Sequence, residues 1–399
     1  MPPTDSSCPL PLDRRLPTDA WAWVDGHACA LPTERSSIDA AAGRVLAAEI
    51  RAGADLPPLT LAAGDGYAVV AAATAGAGAY NPLPLTVRAP DPASGSDALL
   101  ALGEARPVVC GQPLPPGADA VLPVDDAEPI AGGIDVYAAV ASGAQVSGVG
   151  DECVAGDVVL DAGRLLRPQD LAMLRLLGIR HVDVVRPPRV GLVSTCAERA
   201  DADGAMLRAL IARDGGMVVA CGFADGDRER LSEVLAELLA ADDLDLLLCA
   251  GGTGLGRNDH ASSVLAGLGR VEIRGVAIGP GDTLTLGRIG ATPVCLLPGP
   301  PLACFSAYEL VVGRLVRRLA GRNPDWPHAV REATLARKIA SPLGVLQLCR
   351  VRLRDGLAEP LDLAGGRLLR SAVDADGCVL VPLQCEGYPE GERVPVFLF

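Results

Sequence analysis

The sequence is poor in aromatic residues and has almost no lysine. Aromatic side chains make up 3% of its 399 residues, so its cores must be built from leucine, valine, isoleucine and alanine. Lys338 is the only lysine, and arginine supplies nearly all the basic charge. The net charge of −14 argues against general affinity for nucleic acid or anionic membranes, which needs a basic face. We therefore expect neither nucleic acid nor a membrane as a partner.

Long apolar runs and a leader-like N-terminus are also missing. No apolar stretch reaches the roughly 18–20 residues of a membrane span, and MPPTDSSCPLPLDRR has no basic start before an apolar core. We therefore expect a cytoplasmic protein. The 12 cysteines are spread from Cys8 to Cys385 without a C-x-x-C pair. This spacing indicates free buried thiols and no disulfide framework.

What the sequence does contain is an alternation of strands and helices over residues 188–322. RVGLVSTC, MVVACGF, LDLLLCA and TPVCLLPG are typical of buried strands, and helical segments separate them. The pattern predicts a central doubly wound α/β domain. Residues 1–58 and 146–187 predict a helical linker domain, with one helix at about 38–50. Residues 59–145 predict an inserted small β domain, and residues 323–399 a small C-terminal β-barrel or sandwich.

Three predicted strand ends carry polar or glycine and proline residues. One is the glycine loop (residues 251–256, GGTGLG), where backbone amides at a helix start can approach an anion closely. Because parallel strands end at the same edge of a sheet, we expect the three ends to converge on one crevice. For each end alone, a turn or a helix cap is the alternative. The candidate binding residues are Ser194, Thr195, Gly251, Gly252, Thr253, Gly254, Gly256, Arg257, Pro298, Gly299 and Pro301.

A series of motifs in the same order resembles the molybdopterin molybdenumtransferases, the MoeA and gephyrin E-domain family. The motifs are IDAAAGRVLA, DLPP followed by DGYAV, GQPLPPGADAVLPVDD, VASGAQVSGVGDECVAGDVVLDAG, RPPRVGLVSTCAER, CAGGTGLGRNDH and VCLLPGPPLACF. The resemblance covers nearly the whole chain. It implies a homodimer whose central domain binds molybdopterin. It also implies a reaction in which adenylylated molybdopterin and molybdate yield molybdenum cofactor and AMP, with Mg²⁺ held by carboxylates.

The resemblance also implies roles for individual residues. Glu198 and Asp259 would be catalytic carboxylates that hold the metal. Asp65, from the inserted domain of the partner subunit, would complete the molybdate side. The candidate residues at the three strand ends would hold the pterin and its phosphate.

Departures from the family pattern leave other functions open. The acidic residue of the family's glycine loop is Arg257 here, its "STGDEL" motif contains Cys196-Ala197, and its lysine-bearing "PGKP" segment is GPGDT (residues 279–283). A non-catalytic carrier or chaperone, which binds molybdopterin or the cofactor for a client molybdoenzyme, is therefore the alternative. GGTG followed by Arg and Asp also resembles the molybdopterin adenylyltransferases, a third hypothesis. The inserted and terminal domains favour the molybdenumtransferases over it.

Overall fold

The computed structural model describes residues 11–88, 98–196, 201–241, 243–361 and 369–399. These residues divide into two compact units. One unit holds the chain up to Ser36, Ala41–Ala47 and the chain from Asp183 onward, and the other holds Ser37–Ala40 and Ala48–Val182. None of the described helices combines the length and the apolar composition that crossing a membrane requires.

A six-stranded sheet forms the centre of the first unit. The first four strands in its spatial order are parallel, and the last two are antiparallel to their neighbours. Leu246–Ala250 is buried at all five positions, as expected for a parallel strand covered on both faces. In spatial order the strands are Met217–Phe223, Arg189–Ser194, Leu246–Ala250, Thr292–Leu297, Thr285–Ile289 and Arg270–Arg274.

Helices cover both faces of this sheet, so the predicted doubly wound domain is confirmed. Leu246 and Leu248 pack towards the helix Ala202–Arg213 and the helical segment 301–319. The alternate residues Leu247 and Cys249 pack towards the opposite helices. Those opposite helices are Arg228–Ala241 and Ala261–Leu268. The N-terminal helix Pro17–His27 packs against the 301–319 side.

The helical segment that follows the strand Thr292–Leu297 is interrupted. It consists of Pro301–Ala307, a π-helical turn at Tyr308–Val312 and Gly313–Leu319. Glu309, within the π turn, is buried and accepts hydrogen bonds from Arg213 (2.5 Å), the Trp326 indole (2.6 Å) and His328 (3.0 Å). These contacts tie the central domain to the C-terminal segment.

The C-terminal segment of the first unit is a closed five-stranded barrel, as predicted. Its strands pair in a ring around a core that includes Val351, Val379 and Val396. Ile278–Gly279 pairs in parallel with the start of one barrel strand. In ring order the barrel strands are Leu346–Arg354, Leu357–Pro360, Val330–Leu335, Arg393–Leu398 and Gly377–Val381. The remaining elements of the segment are Ile339–Ala340, Gly387–Tyr388 and the helix Arg370–Val373.

The second unit contains the predicted inserted β domain. Its sheet has six short strands, and its core includes Val69, Leu85, Leu122 and Ile134. In spatial order the strands are Ala120–Pro123, Gly66–Val69, Glu104–Val108, Leu83–Val87, Gly133–Val136 and Ala127–Ile130. The unit also contains the two-residue strands Ile50–Arg51, Leu61–Ala62 and Val146–Ser147, the strand Val158–Leu160, the helix Pro168–Leu176, and 3-10 turns at Ile38–Ala40, Ala71–Thr74 and Val124–Asp126. The strands Thr33–Ser37 and His181–Val185 pair with each other.

The predicted helix at about 38–50 is wrong. Only Ile38–Ala40 is helical, as a 3-10 turn, and Leu46 forms a β-bridge with Val184. Gly43 has a φ of +71°, which a right-handed helix excludes. The guanidinium of Arg44 donates to the carbonyl of Val185 (2.9 Å). Long-range contacts therefore override a local pattern that fits helical spacing.

The prediction about cysteines is confirmed in part. The described cysteines are all free thiols, and six of them are buried. Cys29, Cys110 and Cys221 are instead exposed, because cysteine is small enough to occupy turns and strand edges as well as cores. Cys8 lies outside the described residues.

Candidate functional site

Three neighbouring strands of the central sheet end in register. Ser194 pairs with Ala250, and Ala250 pairs with Leu297, so the three strands stop side by side. The amide of Thr195 donates to the Ala250 carbonyl (3.0 Å), and the amide of Gly251 donates to the Leu297 carbonyl (2.9 Å). The chain therefore leaves the sheet at three adjacent points of one edge, as the sequence predicted.

Glycine is required where these strand ends meet. Gly251 and Gly252 have φ values of +94° and +66°, in the left-handed region that glycine adopts without strain. A Cβ at Gly251 would collide with the Thr195 hydroxyl, and a Cβ at Gly299 would lie 3.3 Å from the Gly251 Cα. Glycine at these positions lets the backbones of adjacent strand ends approach each other.

Asp259 closes the glycine loop. Its Oδ2 accepts a hydrogen bond from the amide of Gly256 (2.8 Å), and its own amide donates to the Gly256 carbonyl (3.1 Å). The carboxylate also lies against Gly254, where an added Cβ would be 2.6 Å from Oδ2. The amide of Ala261, at the start of the following helix, donates to the Gly252 carbonyl (3.0 Å). The loop is thus fixed at both ends before any ligand binds.

A cavity of about 460 Å³ opens above this edge of the sheet. Four chain segments form its wall: the glycine loop with Asp259, residues 280–283, the turn at 298–300, and Ala303. The hydroxyls of Thr253 and Thr283 are 2.8 Å apart and join the glycine loop to the 280–283 segment. The lining residues are Gly252, Thr253, Gly254, Asp259, Pro280, Gly281, Asp282, Thr283, Pro298, Gly299, Pro300 and Ala303.

About half of the predicted site residues line this cavity. They are Gly252, Thr253, Gly254, Asp259, Pro298 and Gly299. The cavity wall does not include Gly251, Gly256, Arg257, Ser194, Thr195 or Pro301, although they lie next to it in the chain. Arg257 is exposed.

The two predicted hydroxyls, Ser194 and Thr195, are turned into the protein instead. The Ser194 hydroxyl donates to the carboxylate of Asp201 (2.6 Å), and the Thr195 hydroxyl donates to the Ala250 carbonyl (3.2 Å). Their contribution to the site is therefore to fix the first strand end.

The other two predicted carboxylates, Asp65 and Glu198, are not among the described residues that line the cavity. Asp65 belongs to the second unit, where its Oδ1 accepts a hydrogen bond from the amide of Cys110 (2.8 Å). Glu198 lies outside the described residues. Their catalytic roles stay predictions.

Several residues that belong to this region were not among the predicted site residues. Residues 279–283 correspond to the "PGKP" segment of the family, and this correspondence could have placed Thr283 and Asp282 at the site. Asp201 accepts hydrogen bonds from both Ser194 and the amide of Gly204 (2.8 Å), as an N-cap does. No sequence pattern singles out Arg274, because its role depends on which groups its buried guanidinium contacts in the folded protein.

The charges around the cavity are unevenly distributed. Among the described residues, the lining includes two carboxylates, Asp259 and Asp282, and no arginine or lysine. Asp282 pairs with Arg14 (2.9 Å) at an exposed position. Arg274 lies behind the wall and is 6% exposed. Burial lowers the pKa of its guanidinium, and the negative charge of Asp259 opposes that effect.

The described residues alone do not fit the predicted Mg²⁺ site. No group of three or more His, Cys, Asp or Glu side chains suited to a metal occurs in the described ranges. Asp259 is engaged by the loop amide and Asp282 by Arg14. The chemistry that these residues do support is binding, because loop amides and paired hydroxyls can hold an oxyanion or a polar ring.

Three family models match successive parts of the chain. The MoeA N-terminal region (domains I and II) matches residues 17–178, a "Probable molybdopterin binding domain" matches residues 190–318, and the MoeA C-terminal region (domain IV) matches residues 332–399. The glycine loop and its cavity lie within the second of these regions. The class of protein is therefore a multidomain chain built around a molybdopterin-binding α/β domain.

Relatives extend this likeness over the full length. The chain is 32% identical over 378 residues to a protein of Methanocaldococcus jannaschii named for molybdopterin biosynthesis, covering 90% of each. It is 31% identical to molybdopterin molybdenumtransferase 2 of Mycobacterium tuberculosis, covering 90% of this chain and 93% of that one. A MoeA crystal structure from Pyrococcus horikoshii superimposes with a TM-score of 0.76, at 27% identity, over 97% of this chain and all of that one. The chain belongs to the MoeA family, and the predicted family and fold class are confirmed.

Proposed function

We propose that this protein is a molybdopterin molybdenumtransferase acting in molybdenum cofactor biosynthesis. It takes adenylylated molybdopterin and molybdate, and it releases AMP and the molybdenum cofactor. The observation that carries the proposal is the cavity of about 460 Å³ at three strand ends in register, in a chain whose full-length relatives are named as molybdenumtransferases.

The cavity wall supplies the binding contacts for the pterin in this proposal. The fixed glycine loop presents backbone close to the ligand, and the Thr253 and Thr283 hydroxyls form a polar pair on the wall. The turn containing Pro298 and Gly299 forms the opposite side. Since this frame is held by internal hydrogen bonds, little ordering of the loop accompanies binding, which favours affinity.

The direct test follows AMP. Purified protein is incubated anaerobically with adenylylated molybdopterin and Mg²⁺, with and without molybdate, and AMP is quantified. We expect AMP release that depends on molybdate. Tight pterin binding with no AMP release would support the carrier and contradict the transferase. Replacing Mg²⁺ with EDTA tests the metal requirement predicted through Glu198 and Asp259.

The homodimer and the role of Asp65 belong to the same proposal. If Asp65 completes the site of the partner subunit, mixed dimers of Asp65→Asn and Asp259→Asn chains contain one intact site. Mixing the two inactive variants then restores part of the activity. No restoration in a sample shown to contain mixed dimers would place Asp65 and Asp259 in the same subunit's site or outside catalysis. Light scattering that gives the mass of one chain would contradict the dimer.

The cytoplasm is the proposed location, as expected from the composition. A client molybdoenzyme remains a partner only of the carrier alternative, which the names of the relatives do not favour.

A further inference from the structure

Arg274 connects the two walls of the cavity from behind. It is the last residue of the strand Arg270–Arg274, and its side chain is almost fully buried. One guanidinium nitrogen donates to the carbonyl of Gly254 in the glycine loop (3.0 Å). The other donates to the Thr285 hydroxyl (3.1 Å) and, more distantly, to the Thr283 carbonyl (3.4 Å). Gly254 and Thr283 both line the cavity.

The positive charge of Arg274 has no carboxylate hydrogen-bonded to it in the described part of the chain. Its partners there are two carbonyls and a hydroxyl, and its Nε has no partner. Arg317 is similarly buried but forms an ion pair with Asp214 (3.0 Å). Arginine stays protonated in proteins even when burial lowers its pKa. A full charge is therefore held in a poorly solvated position, which is costly unless another charge compensates it. Asp259 offsets part of this cost, because its negative charge opposes the effect of burial on the pKa of Arg274.

An anionic ligand would meet an unfavourable wall without this charge. The lining residues that the structure describes include two carboxylates and no basic side chain. Thr283 and Gly254 separate the guanidinium from the cavity, so Arg274 acts through the wall. Because the protein between them has a lower dielectric constant than water, the charge of Arg274 acts on a ligand in the cavity more strongly than it would through water.

We propose that Arg274 is the positioning residue that makes this cavity selective for a phosphate-bearing pterin. Its guanidinium holds the glycine loop and the 280–283 segment in place and supplies the positive potential that offsets the ligand's phosphate. The proposal rests on the proposed function, because it takes molybdopterin as the ligand of this cavity. The phosphate in turn compensates the buried charge of Arg274.

The test compares two ligands and two substitutions. Anaerobic titrations measure the dissociation constants of molybdopterin and of its dephosphorylated form for wild type, Arg274→Lys and Arg274→Gln. Lysine keeps the charge and loses the planar fork, whereas glutamine keeps a donor and loses the charge. Arg288→Gln is the matched control, because Arg288 lies on the neighbouring strand and pairs with Glu272 (2.9 Å) instead of with a cavity wall.

We expect Arg274→Gln to weaken molybdopterin binding by about 10-fold, the order expected for a unit charge about 10 Å away at an effective dielectric constant of about 20. Arg274→Lys should weaken it by less than about threefold, and Arg288→Gln should leave it unchanged. The dephosphorylated ligand should bind the lysine and glutamine variants equally. Equal losses for both ligands, or equal losses in both Arg274 variants, would overturn the charge role and leave only a structural one.

A measurement on the wild-type protein covers the case in which Arg274→Gln does not fold. A buried charge is only weakly screened by salt, whereas an exposed one is screened strongly. The preference of wild type for the phosphorylated ligand should therefore change by less than about threefold between 50 and 500 mM NaCl. Loss of the preference in high salt would indicate that exposed cations such as Arg257 bind the phosphate, and it would overturn the proposal. Failure of wild type to bind either pterin would instead contradict the proposed function itself.

Discussion

Asp203 provides the most direct test of the electrostatics beside the first strand end. It lies in the first turn of the helix Ala202–Arg213, two residues after the N-cap Asp201, and its Oδ1 is buried with no hydrogen-bond partner among the described residues. Burial and, after it, the negative charge of Asp201 raise the pKa of Asp203 from 3.8 to about 6. The ionised carboxylate is therefore unfavourable in the folded protein, and Asp203→Asn should stabilise it at neutral pH.

The size and pH range of the effect follow from the two pKa values. An increase from 3.8 to about 6 corresponds to at most about 3 kcal/mol, at about 1.4 kcal/mol per pH unit. The side chain is only half-buried, so solvent screening reduces the expected effect to about 1–2 kcal/mol. The unfolded chain ionises above pH 3.8, whereas the folded one ionises above about pH 6. The cost to the wild type is thus small near pH 3.8, grows as pH rises towards 6, and is constant above about pH 7.

The assay is thermal unfolding of wild type and Asp203→Asn between pH 4 and pH 8. We expect the variant to melt a few degrees higher at pH 8 and the difference to shrink towards pH 4. Glu390→Gln is the control, because Glu390 is exposed in a turn. Its substitution also removes one negative charge, but that charge is solvated in the folded protein. A difference that does not vary with pH, or a variant less stable than wild type at pH 8, would refute the reasoning.

Three further substitutions test the frame of the site and the core beneath it. Gly251→Ala should lower stability by about 1–3 kcal/mol and abolish pterin binding, because the new Cβ collides with the Thr195 hydroxyl and the residue has a positive φ. Thermal melting and pterin titration measure these effects, and an unchanged melting temperature and affinity would contradict them. Thr283→Val should weaken pterin binding by about 3–10-fold, because it removes the hydroxyl paired with Thr253. Titration measures that loss, and an unchanged affinity would show that the hydroxyl pair does not matter. Glu309→Gln should lower the free energy of unfolding by about 3–5 kcal/mol, because a buried carboxylate with three hydrogen-bond donors loses its charge. Urea unfolding measures this loss, and a loss under about 1 kcal/mol would show that these three hydrogen bonds contribute little to stability.

Local pattern was sufficient to predict the order of elements in the central domain. Strand, helix and glycine signals follow each other within short windows, and the observed strands Arg189–Ser194, Leu246–Ala250 and Thr292–Leu297 fall where the buried apolar runs stand. Because parallel strands must end at a common edge, the convergence of their ends followed from that order alone. The glycine loop was predictable for the same reason, since few functions other than a tight turn or a ligand site need so many glycines after a strand.

Side-chain direction and long-range pairing could not be predicted in this way. Nothing local distinguishes a Ser194 hydroxyl that faces a ligand from one that binds Asp201. The segment at about 38–50 has helical spacing, but the conformation of Gly43 and the bridge from Leu46 to Val184 override it. Contacts between residues far apart in sequence decided both cases.

By itself, the sequence determined the family, the α/β and β architecture, and the strand edge at which a ligand can bind. The family followed from a resemblance carried by motifs in the same order, whereas the architecture and the strand edge depend on periodicity and on glycine placement, which are local properties of the chain. Only the tertiary structure decided which residues form the cavity wall, that Thr283 lies against Thr253, and that Arg274 ends behind both walls without a carboxylate partner among the described residues. The physical reason is that burial and pairing depend on where distant segments meet, and no single stretch of sequence contains that information.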